Sequence, residues 1–371
     1  MAAGDRAYLD YNATAPLRPA ARDAMIDALA ERGNPSSVHQ EGRSARAMVE
    51  HARRAVAASV SAPVEGTVFT SGGTEANAWM LGCWDGPVAV SAVEHDAVRL
   101  ARHDALVLPV DQDGIVSISA LDDLPEGTLV SIMAANNETG VLQPIADLAE
   151  RVHAKGLFLH CDSVQTCGRL ATGPLAQGAD AVTISAHKLG GPKGVGALAV
   201  ADPHRLPPGL IRGGGQEHRR RAGTENVAAI AGFAAAVRDA DEQIGDWCDI
   251  ESLRDWMEER IETISPSVTI AGKAVARLPN TICVAMPGTD AQATVIAFDL
   301  AGISVSSGAA CSSGKVARSH VLEAMGWEDN LAGAAVRVSL GLETTRAEAE
   351  RFVAAWQDII GRGLASRGLA A

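Results

Sequence analysis

Lysine is scarce in this chain: of 371 residues only Lys155, Lys188, Lys193, Lys273 and Lys315 carry a side-chain amine. A mechanism that needs an amine nucleophile therefore has few candidates. Six cysteines (Cys83, Cys161, Cys167, Cys248, Cys283 and Cys311) stand without a CxxC pair, which argues against a disulfide framework and a closed zinc site and leaves reduced thiols as the expectation. No stretch approaches the roughly 20 apolar residues of a membrane span. Met1 to Leu9 lacks a basic segment followed by an apolar one, so a cytoplasmic location without a membrane partner is expected. Positive charge is in deficit: 32 Lys and Arg against 45 Asp and Glu leave a formal charge of -13. Long-range repulsion then disfavours non-specific binding to nucleic acid or anionic membranes, and the run His218-Arg-Arg-Arg221 reads as a solvated or interface segment.

What is present is the composition of a globular enzyme, with 47% hydrophobic and 21% charged residues, too apolar for disorder. The length exceeds what one hydrophobic core usually serves, so a large domain and a smaller one are expected. Short apolar runs alternate with amphipathic stretches in the α/β manner. Strands are predicted at Thr67 to Thr70, Val88 to Ala92, Leu129 to Met133, Leu157 to His160, Ala181 to Ser185 and Ala197 to Val200. Between them Ile145 to Ala154 places Ile145, Leu148, Ala149 and Val152 on one helical face, with Lys155-Gly156 as its stop. The pattern implies a mainly parallel sheet with crossover helices. A long helical stretch from Asn226 to about Glu262 is followed by strands near Thr281 to Val284, Ile303 to Val305 and Val336 to Leu340, a second α/β unit whose boundary falls near residue 258. Thr345 and Glu348 have capping-box spacing ahead of the last helix.

Four segments could carry chemistry. Lys188 follows the apolar run Ala181 to Ser185 and precedes Gly190-Gly-Pro-Lys-Gly-Val-Gly196, just past a buried strand in a permissive turn. Such a site can desolvate an amine and depress its pKa from about 10.4, as Schiff-base formation and proton abstraction both require; the alternative is a surface lysine beside a glycine turn. Phe69-Thr-Ser-Gly-Gly-Thr-Glu-Ala76 runs from a strand through glycines into a helix, offering N–H groups to a phosphate, although an ordinary strand-to-helix turn has the same pattern. It lacks the GxxxxGK[ST] and GxGxxG signatures of nucleotide sites. Leu157-Phe-Leu-His-Cys-Asp162 ends a strand in a carboxylate. There Asp162 could face the same cleft as Lys188 and pair with a protonated pyridine nitrogen, or simply cap a helix. Val305-Ser-Ser-Gly-Ala-Ala-Cys-Ser-Ser-Gly314 surrounds Cys311 with small residues. A free cysteine is often a small core residue, yet cores do not favour flanking Ser and Gly. With a reference pKa of about 8.5 the thiol needs a nearby base or cation to react.

In this order the segments resemble the NifS/IscS-like cysteine desulfurases over nearly the whole chain. The resemblance is carried by Tyr8-Leu-Asp-Tyr-Asn-Ala-Thr14, Gly33-Asn-Pro-Ser-Ser37, Thr70-Ser-Gly-Gly-Thr-Glu75, Glu94-His95, Asn136-Asn-Glu-Thr-Gly140, Asp162-Ser-Val-Gln165, Ser185-Ala-His-Lys188, Gly213-Gly-Gly-Gln-Glu217, Arg221-Ala-Gly-Thr-Glu-Asn226, Leu278-Pro-Asn-Thr281, Ser306-Ser-Gly-Ala-Ala-Cys311 and Arg337-Val-Ser-Leu340. It implies a pyridoxal-phosphate (PLP) enzyme of fold type I: a large domain, residues 14–257, with a mainly parallel seven-stranded sheet, and a smaller α/β domain of residues 1–13 and 258–371 that carries the catalytic cysteine. It further implies a homodimer with the active site at the subunit interface.

Mapped by motif, the resemblance makes Lys188 the residue that carries the cofactor, with His95 stacking on its ring and assisting proton transfer. Asp162 pairs with the ring nitrogen, and Gln165 and Asn137 contact the hydroxyl side. Gly73, Thr74, Ser185 and His187 hold the phosphate, with Thr224 reaching it from the partner subunit. Arg337, with Asn137, binds the substrate carboxylate, and Asn34 is a further candidate. The implied reaction takes sulfur from free L-cysteine onto Cys311 as a persulfide and releases alanine. The persulfide then passes to an acceptor, typically an iron-sulfur scaffold protein, toward which Cys311 is the one implied metal ligand, of a transiently shared cluster. Ala15 stands where a second threonine is frequent and His218 where an arginine is common. The chain runs only to Ala371, where many relatives continue in a tail implicated in scaffold docking, so the acceptor is left open. Other PLP enzymes, an aminotransferase or a lyase, share the cofactor residues without needing the loop thiol. A sulfur carrier or metal-binding protein using His160, Cys161, Cys167 and Cys311 is disfavoured, because consecutive strand residues alternate between faces.

Overall fold

The structure, a computed structural model, describes residues 6–308 and 318–366. Its centre is a seven-stranded sheet in the spatial order Thr67–Thr70, Gly196–Val200, Ala181–Ser185, Phe158–Asp162, Leu129–Ser131, Val88–Ser91 and Leu106–Leu108. Four neighbouring pairs are parallel, and Gly196–Val200 is antiparallel to both of its neighbours. The remaining six strands therefore share one direction and deliver their carboxyl ends to one rim. Every residue of Thr67–Thr70, Phe158–Asp162, Ala181–Ser185 and Gly196–Val200 is buried, which explains their unbroken apolar runs: sheets covered on both faces show no alternation. All six predicted strands of this region are present. Leu106–Leu108 was not predicted, because its apolar run ends after three residues at Pro109, shorter than the roughly four to eight that mark a strand, and Leu106 and Val107 face solvent.

Helices cover both faces. On one, Gln40–Ser59 and Pro19–Ala30 pack on Val227–Glu242. A Cβ on Gly232 would lie 2.5 Å from Met25 Cγ, so this glycine sets the close approach of the helix pair. On the other face Gly73–Gly82 buries Trp79, Met80 and Leu81. The predicted helix Ile145–Ala154 occurs with those bounds and buries the four residues assigned to its inner face. The long helical stretch after Asn226 is instead two helices, Val227–Glu242 and Trp247–Ile264, broken where Ile244-Gly245-Asp246 interrupts the pattern with a glycine.

The second sheet is antiparallel, in the order Ser306–Ser307, Ala335–Ser339, Thr281–Ala285 and Thr269–Ile270, and Ala7–Tyr8 pairs in parallel with Ile303–Ser304 beside it. Trp247–Ile264 and Arg346–Ser366 pack together, and an aromatic stack of Phe298, Phe352 and Trp356 fills the core beneath the latter. The capping box is formed: Thr345 N donates to Glu348 Oε2 at 2.8 Å and Glu348 N to Thr345 Oγ1 at 3.3 Å. No helix of the described residues is long and apolar enough to cross a membrane.

The outer edge of Thr67–Thr70 is protected by chemistry rather than by another strand. Phe69 N donates to Glu217 Oε2 at 2.9 Å, and the same carboxylate receives Arg53 Nη1 at 2.6 Å and Nη2 at 2.9 Å. Both side chains are almost wholly buried. Burial works against the Arg53 charge, but bonds and charges from Glu217 and Glu50 outweigh it and raise its pKa. Glu217, His218 and Arg219 all have positive φ, at 47°, 55° and 68°, a conformation that non-glycine residues adopt only when neighbours enforce it. Removing one partner of a buried pair strands the other charge. Glu217→Ala is therefore expected to cost about 3–5 kcal/mol in urea unfolding, and an unchanged urea midpoint would contradict this account of the edge.

Candidate active site

The shared rim of the strands encloses a cavity of about 440 Å³, within the usual range for a small-ligand pocket, roughly 300–1,000 Å³. Asp162 ends one strand and Ser185 the next, with His187 and Lys188 on the short helical turn that follows. Thr70 leads to the helix Gly73–Gly82. From the second sheet Arg337 reaches across from Ala335–Ser339, and Ser306 and Ser307 close the wall. The cavity is thus lined by Gly73, Thr74, His95, Asn137 and Asp162, and by Gln165, Ser185, His187, Lys188 and Arg337. Ten residues singled out in the sequence meet in one place.

Lys188 is desolvated. Burial, reinforced by the charges of Arg337 and Arg169, lowers its pKa from 10.5 to about 8, against smaller opposing effects of Asp162 and Asp10. Its Nζ donates to Asn12 O at 2.6 Å. Burial and the charges of Lys188 and Lys193 likewise hold His187 at about 4, well below the ordinary imidazole value of 6.5, so it is neutral at pH 7; its Nδ1 lies 3.2 Å from Thr14 Oγ1. Asp162 is 7% exposed; Oδ2 accepts from Asn77 Nδ2 at 2.7 Å and Oδ1 from Val164 N at 3.0 Å. The second bond caps a local turn, not the helix start that the sequence allowed, and the carboxylate also faces the cavity.

At the opposite end Gly72 has φ 156° and no side-chain cap, and a Cβ on Gly73 would sit 2.9 Å from Val164 Cγ2. The first turn therefore presents bare N–H groups, suited to a phosphate. His95 caps Asp96–Arg99, its Nδ1 accepting from Ala97 N at 3.1 Å; in the neutral ring this places the proton on Nε2. Burial pushes the neighbouring Glu94 carboxyl up to about 8 despite bonds from Ser91 and Met133 N. Arg337 Nη2 meets Asp10 Oδ1 at 2.8 Å and Nη1 donates to Asn137 O at 3.1 Å, while its buried Nε has no partner among the described residues. Gln165 uses its carboxamide within the protein, donating to Asn12 O at 3.1 Å and accepting from Arg169 Nη1 at 2.7 Å, which leaves one N–H for a ligand.

Two candidates lie elsewhere. Thr224 is exposed on a separate surface pocket beside Ser71 and Arg221, and Asn34 is exposed and accepts from Ser36 N. Cys311 lies outside the described residues. The described cysteines are all free. His160 has both ring nitrogens against hydroxyls, Ser131 Oγ at 2.9 Å and Thr183 Oγ1 at 3.0 Å, so it is a core residue and not a metal ligand. Sequence reasoning missed Asp10, Asn12, Asn77 and Arg169. Asp10 and Asn12 sat within a segment already noted for its resemblance, but only the structure reveals which side chains they touch.

The donor set fits PLP on observations of this structure. It offers an amine of lowered pKa, a buried carboxylate for a protonated ring nitrogen, bare helix N–H groups for a phosphate, and two buried polar atoms on the cavity wall, Asn77 Oδ1 and Arg337 Nε, without a protein partner among the described residues.

Comparison with known proteins agrees with this architecture. Residues 7–352 match the family described as aminotransferase class-V. The chain is 39% identical to a protein named cysteine desulfurase IscS from Dictyoglomus turgidum, with 91% of this chain and 90% of that protein covered. It is 41% identical to a cysteine desulfurase from Cereibacter sphaeroides, with 94% of each covered. The X-ray structure of a NifS-like protein from Rickettsia africae superposes with a TM-score of 0.89 at 36% identity, over 96% of this chain and 99% of that one. With its seven-stranded sheet, its Lys188 turn and these relatives, the chain belongs to the aminotransferase class-V family.

Proposed function

We propose that this chain is a PLP-dependent cysteine desulfurase that converts free L-cysteine to L-alanine and leaves the sulfur as a persulfide on Cys311. The observation that carries the reading is the convergence of a desolvated Lys188, Asp162 and Arg337 on one cavity whose wall includes Ser306 and Ser307, the residues leading to Cys311. Gly308 is held by its N–H to Ala335 O at 2.7 Å. Cys311 is three residues on in sequence, so at most about 11 Å of extended chain separates its α-carbon from that of Gly308.

In this reading Lys188 carries the cofactor, Asp162 pairs with its ring nitrogen, and the Gly73–Thr74 turn with Ser185 and His187 holds its phosphate. His95 would stack on the ring and assist proton transfer, and Gln165 and Asn137 would contact its hydroxyl side. When bound, PLP supplies an electron sink for negative charge at the substrate's α-carbon. Arg337 meets the substrate carboxylate, where a planar fork already aligned by Asp10 and the Asn137 carbonyl binds without further ordering. The free Lys188 amine takes the α-proton, which a lysine of ordinary pKa could not do at neutral pH. Cys311 thiolate attacks the substrate sulfur. A sulfur–sulfur bond forms as the carbon–sulfur bond breaks, its electron pair stays with the β-carbon, which takes a proton, and return of a proton from Lys188 to the α-carbon gives alanine. The persulfide passes to an iron-sulfur scaffold or another sulfur-acceptor protein, with Cys311 able to ligate a transiently shared cluster. The chain acts as a cytoplasmic homodimer, divided as residues 14–257 and 1–13 with 258–371; Thr224, exposed and not among the residues lining its own cavity, serves the partner's phosphate.

Incubation with L-cysteine should yield alanine and a persulfide that mass spectrometry maps to Cys311. Cys311→Ala should retain PLP and bind cysteine yet release almost no sulfide; undiminished desulfuration by that variant would reject the thiol's role and favour another class of PLP enzyme. Arg337→Ala should raise KM for cysteine about 10- to 100-fold through the lost charge-assisted bonds, and an unaltered KM would place the carboxylate elsewhere. In the cofactor-free protein, labelling of Lys188 with a small acylating reagent should rise through a midpoint near pH 8, following its lowered pKa; a midpoint above pH 10 would show that the amine is solvated.

A further inference from the structure

Every polar atom of Asn12 is engaged, and the residue is fully buried. Its N–H donates to Ser339 Oγ at 2.9 Å. Its Nδ2 donates to Thr281 Oγ1 at 2.9 Å and Asn137 O at 3.2 Å, and its Oδ1 accepts from Arg169 Nη1 at 2.8 Å and Asn280 Nδ2 at 3.2 Å. Its carbonyl accepts from Lys188 Nζ at 2.6 Å and Gln165 Nε2 at 3.1 Å. A buried network in which each member is satisfied has one low-energy arrangement, because any displacement strands a donor or acceptor.

We propose that Asn12 is a positioning residue for Lys188: its carbonyl is the seat of the lysine amine whenever that amine is not bonded to cofactor, and its carboxamide pins the carbonyl in place. The inference rests on the proposed reaction, in which Lys188 alternates between carrying the cofactor and moving a proton. A lysine stem has four rotatable bonds, and on release the amine could settle against any acceptor in reach. Here it is fixed at both ends by one hub. Arg169 Nη2 holds the Lys188 carbonyl at 3.2 Å while Arg169 Nη1 holds Asn12 Oδ1, and Asn12 O holds the tip. The charged groups facing the amine are Arg337, Arg169, Asp162 and Asp10, with His187 beside it in sequence. Two cations press the proton off, and the carbonyl dipole with the two carboxylates retains it, so small movements of the carbonyl alter the balance.

The carbonyl cannot be deleted by mutation, but its anchors can. Asn12→Ala removes all four side-chain bonds. Thr281→Val removes one acceptor of Nδ2 without touching Lys188. Asn12→Asp keeps the acceptors for Arg169 and Asn280, loses the donors, and brings a carboxylate near the amine. The test is the pH dependence of Lys188 acylation in cofactor-free full-length protein, read by mass spectrometry, alongside kcat and KM of the PLP-loaded enzymes with L-cysteine and thermal unfolding of each. Loosening the acceptor should lower the labelling midpoint in Asn12→Ala by on the order of one pH unit, and less in Thr281→Val. Asn12→Asp should raise it, and kcat should fall in all three with a smaller effect on KM.

A midpoint equal to that of the unmodified chain in both Asn12→Ala and Thr281→Val overturns the proposal. If Asn12→Ala does not fold, Thr281→Val and Asn12→Asp decide it. Failure of the proposed reaction is distinguishable: an unmodified chain that makes no alanine from cysteine refutes the desulfurase reading, while the labelling midpoints still judge the seat. An active unmodified chain with unmoved midpoints refutes the seat alone.

Discussion

An amine held out of water beside two guanidinium groups is the constraint around which this molecule is arranged. Lys188 would remain a solvated ammonium at neutral pH in an open loop; burial and the charges of Arg337 and Arg169 bring its pKa to about 8. The same crowding depresses Arg169 to about 10, with burial the main cause and the charge of Arg337 next. Three cationic groups in so small a volume require acceptors at fixed positions. The structure supplies them from the carbonyls of Asn12 and Asn137 and the carboxylate of Asp10, and Asp162 adds a further negative charge that favours the ammonium.

Two of those acceptors, Asp10 and Asn12, come from a part of the chain far from Lys188 in sequence. The segment after Ala7–Tyr8 runs beside the second sheet, bridges to it at Asp10–Ser339, and then crosses to the rim of the seven-stranded sheet, where Ala15 N donates to His187 O at 2.9 Å. One short strap therefore touches Arg337 through Asp10, Lys188 through Asn12 and His187 through Thr14. The two sheets present their functional groups to a common volume because this strap is bonded to both. A parallel sheet gives the rim, since only strands of one direction place Thr70, Asp162 and Ser185 at the same end; the strap gives the spacing.

The parts of this arrangement legible in the sequence are those encoded locally. Buried parallel strands announce themselves as apolar runs, so Ala181 to Ser185 and the lysine after it could be placed from pattern alone, as could the helix Ile145–Ala154 and the capping box at Thr345. The break at Ile244–Asp246 was hidden because apolar residues continue on both sides of it, and the edge strand Leu106–Leu108 because three apolar residues before a proline are too short a run to read as a strand. Asn12 and Arg169 were illegible for a different reason. A buried asparagine has no period and no motif of its own, and its value depends on partners at Gln165, Asn280, Thr281 and Ser339, more than 150 residues away.

For the proposed reaction, the same electrostatics bears on where a reactive thiol can be held. A thiol placed permanently beside Lys188, Arg169 and Arg337 would be held as a thiolate by three nearby cations, and that anion would compete for Arg337 with the substrate carboxylate. Cys311 follows Ser306–Ser307, which pair with the Arg337 strand, by only a few residues of sequence. In that reaction Arg337 is kept for the carboxylate of the entering amino acid, since Asp10 and the Asn137 carbonyl already meet its charge without a thiolate.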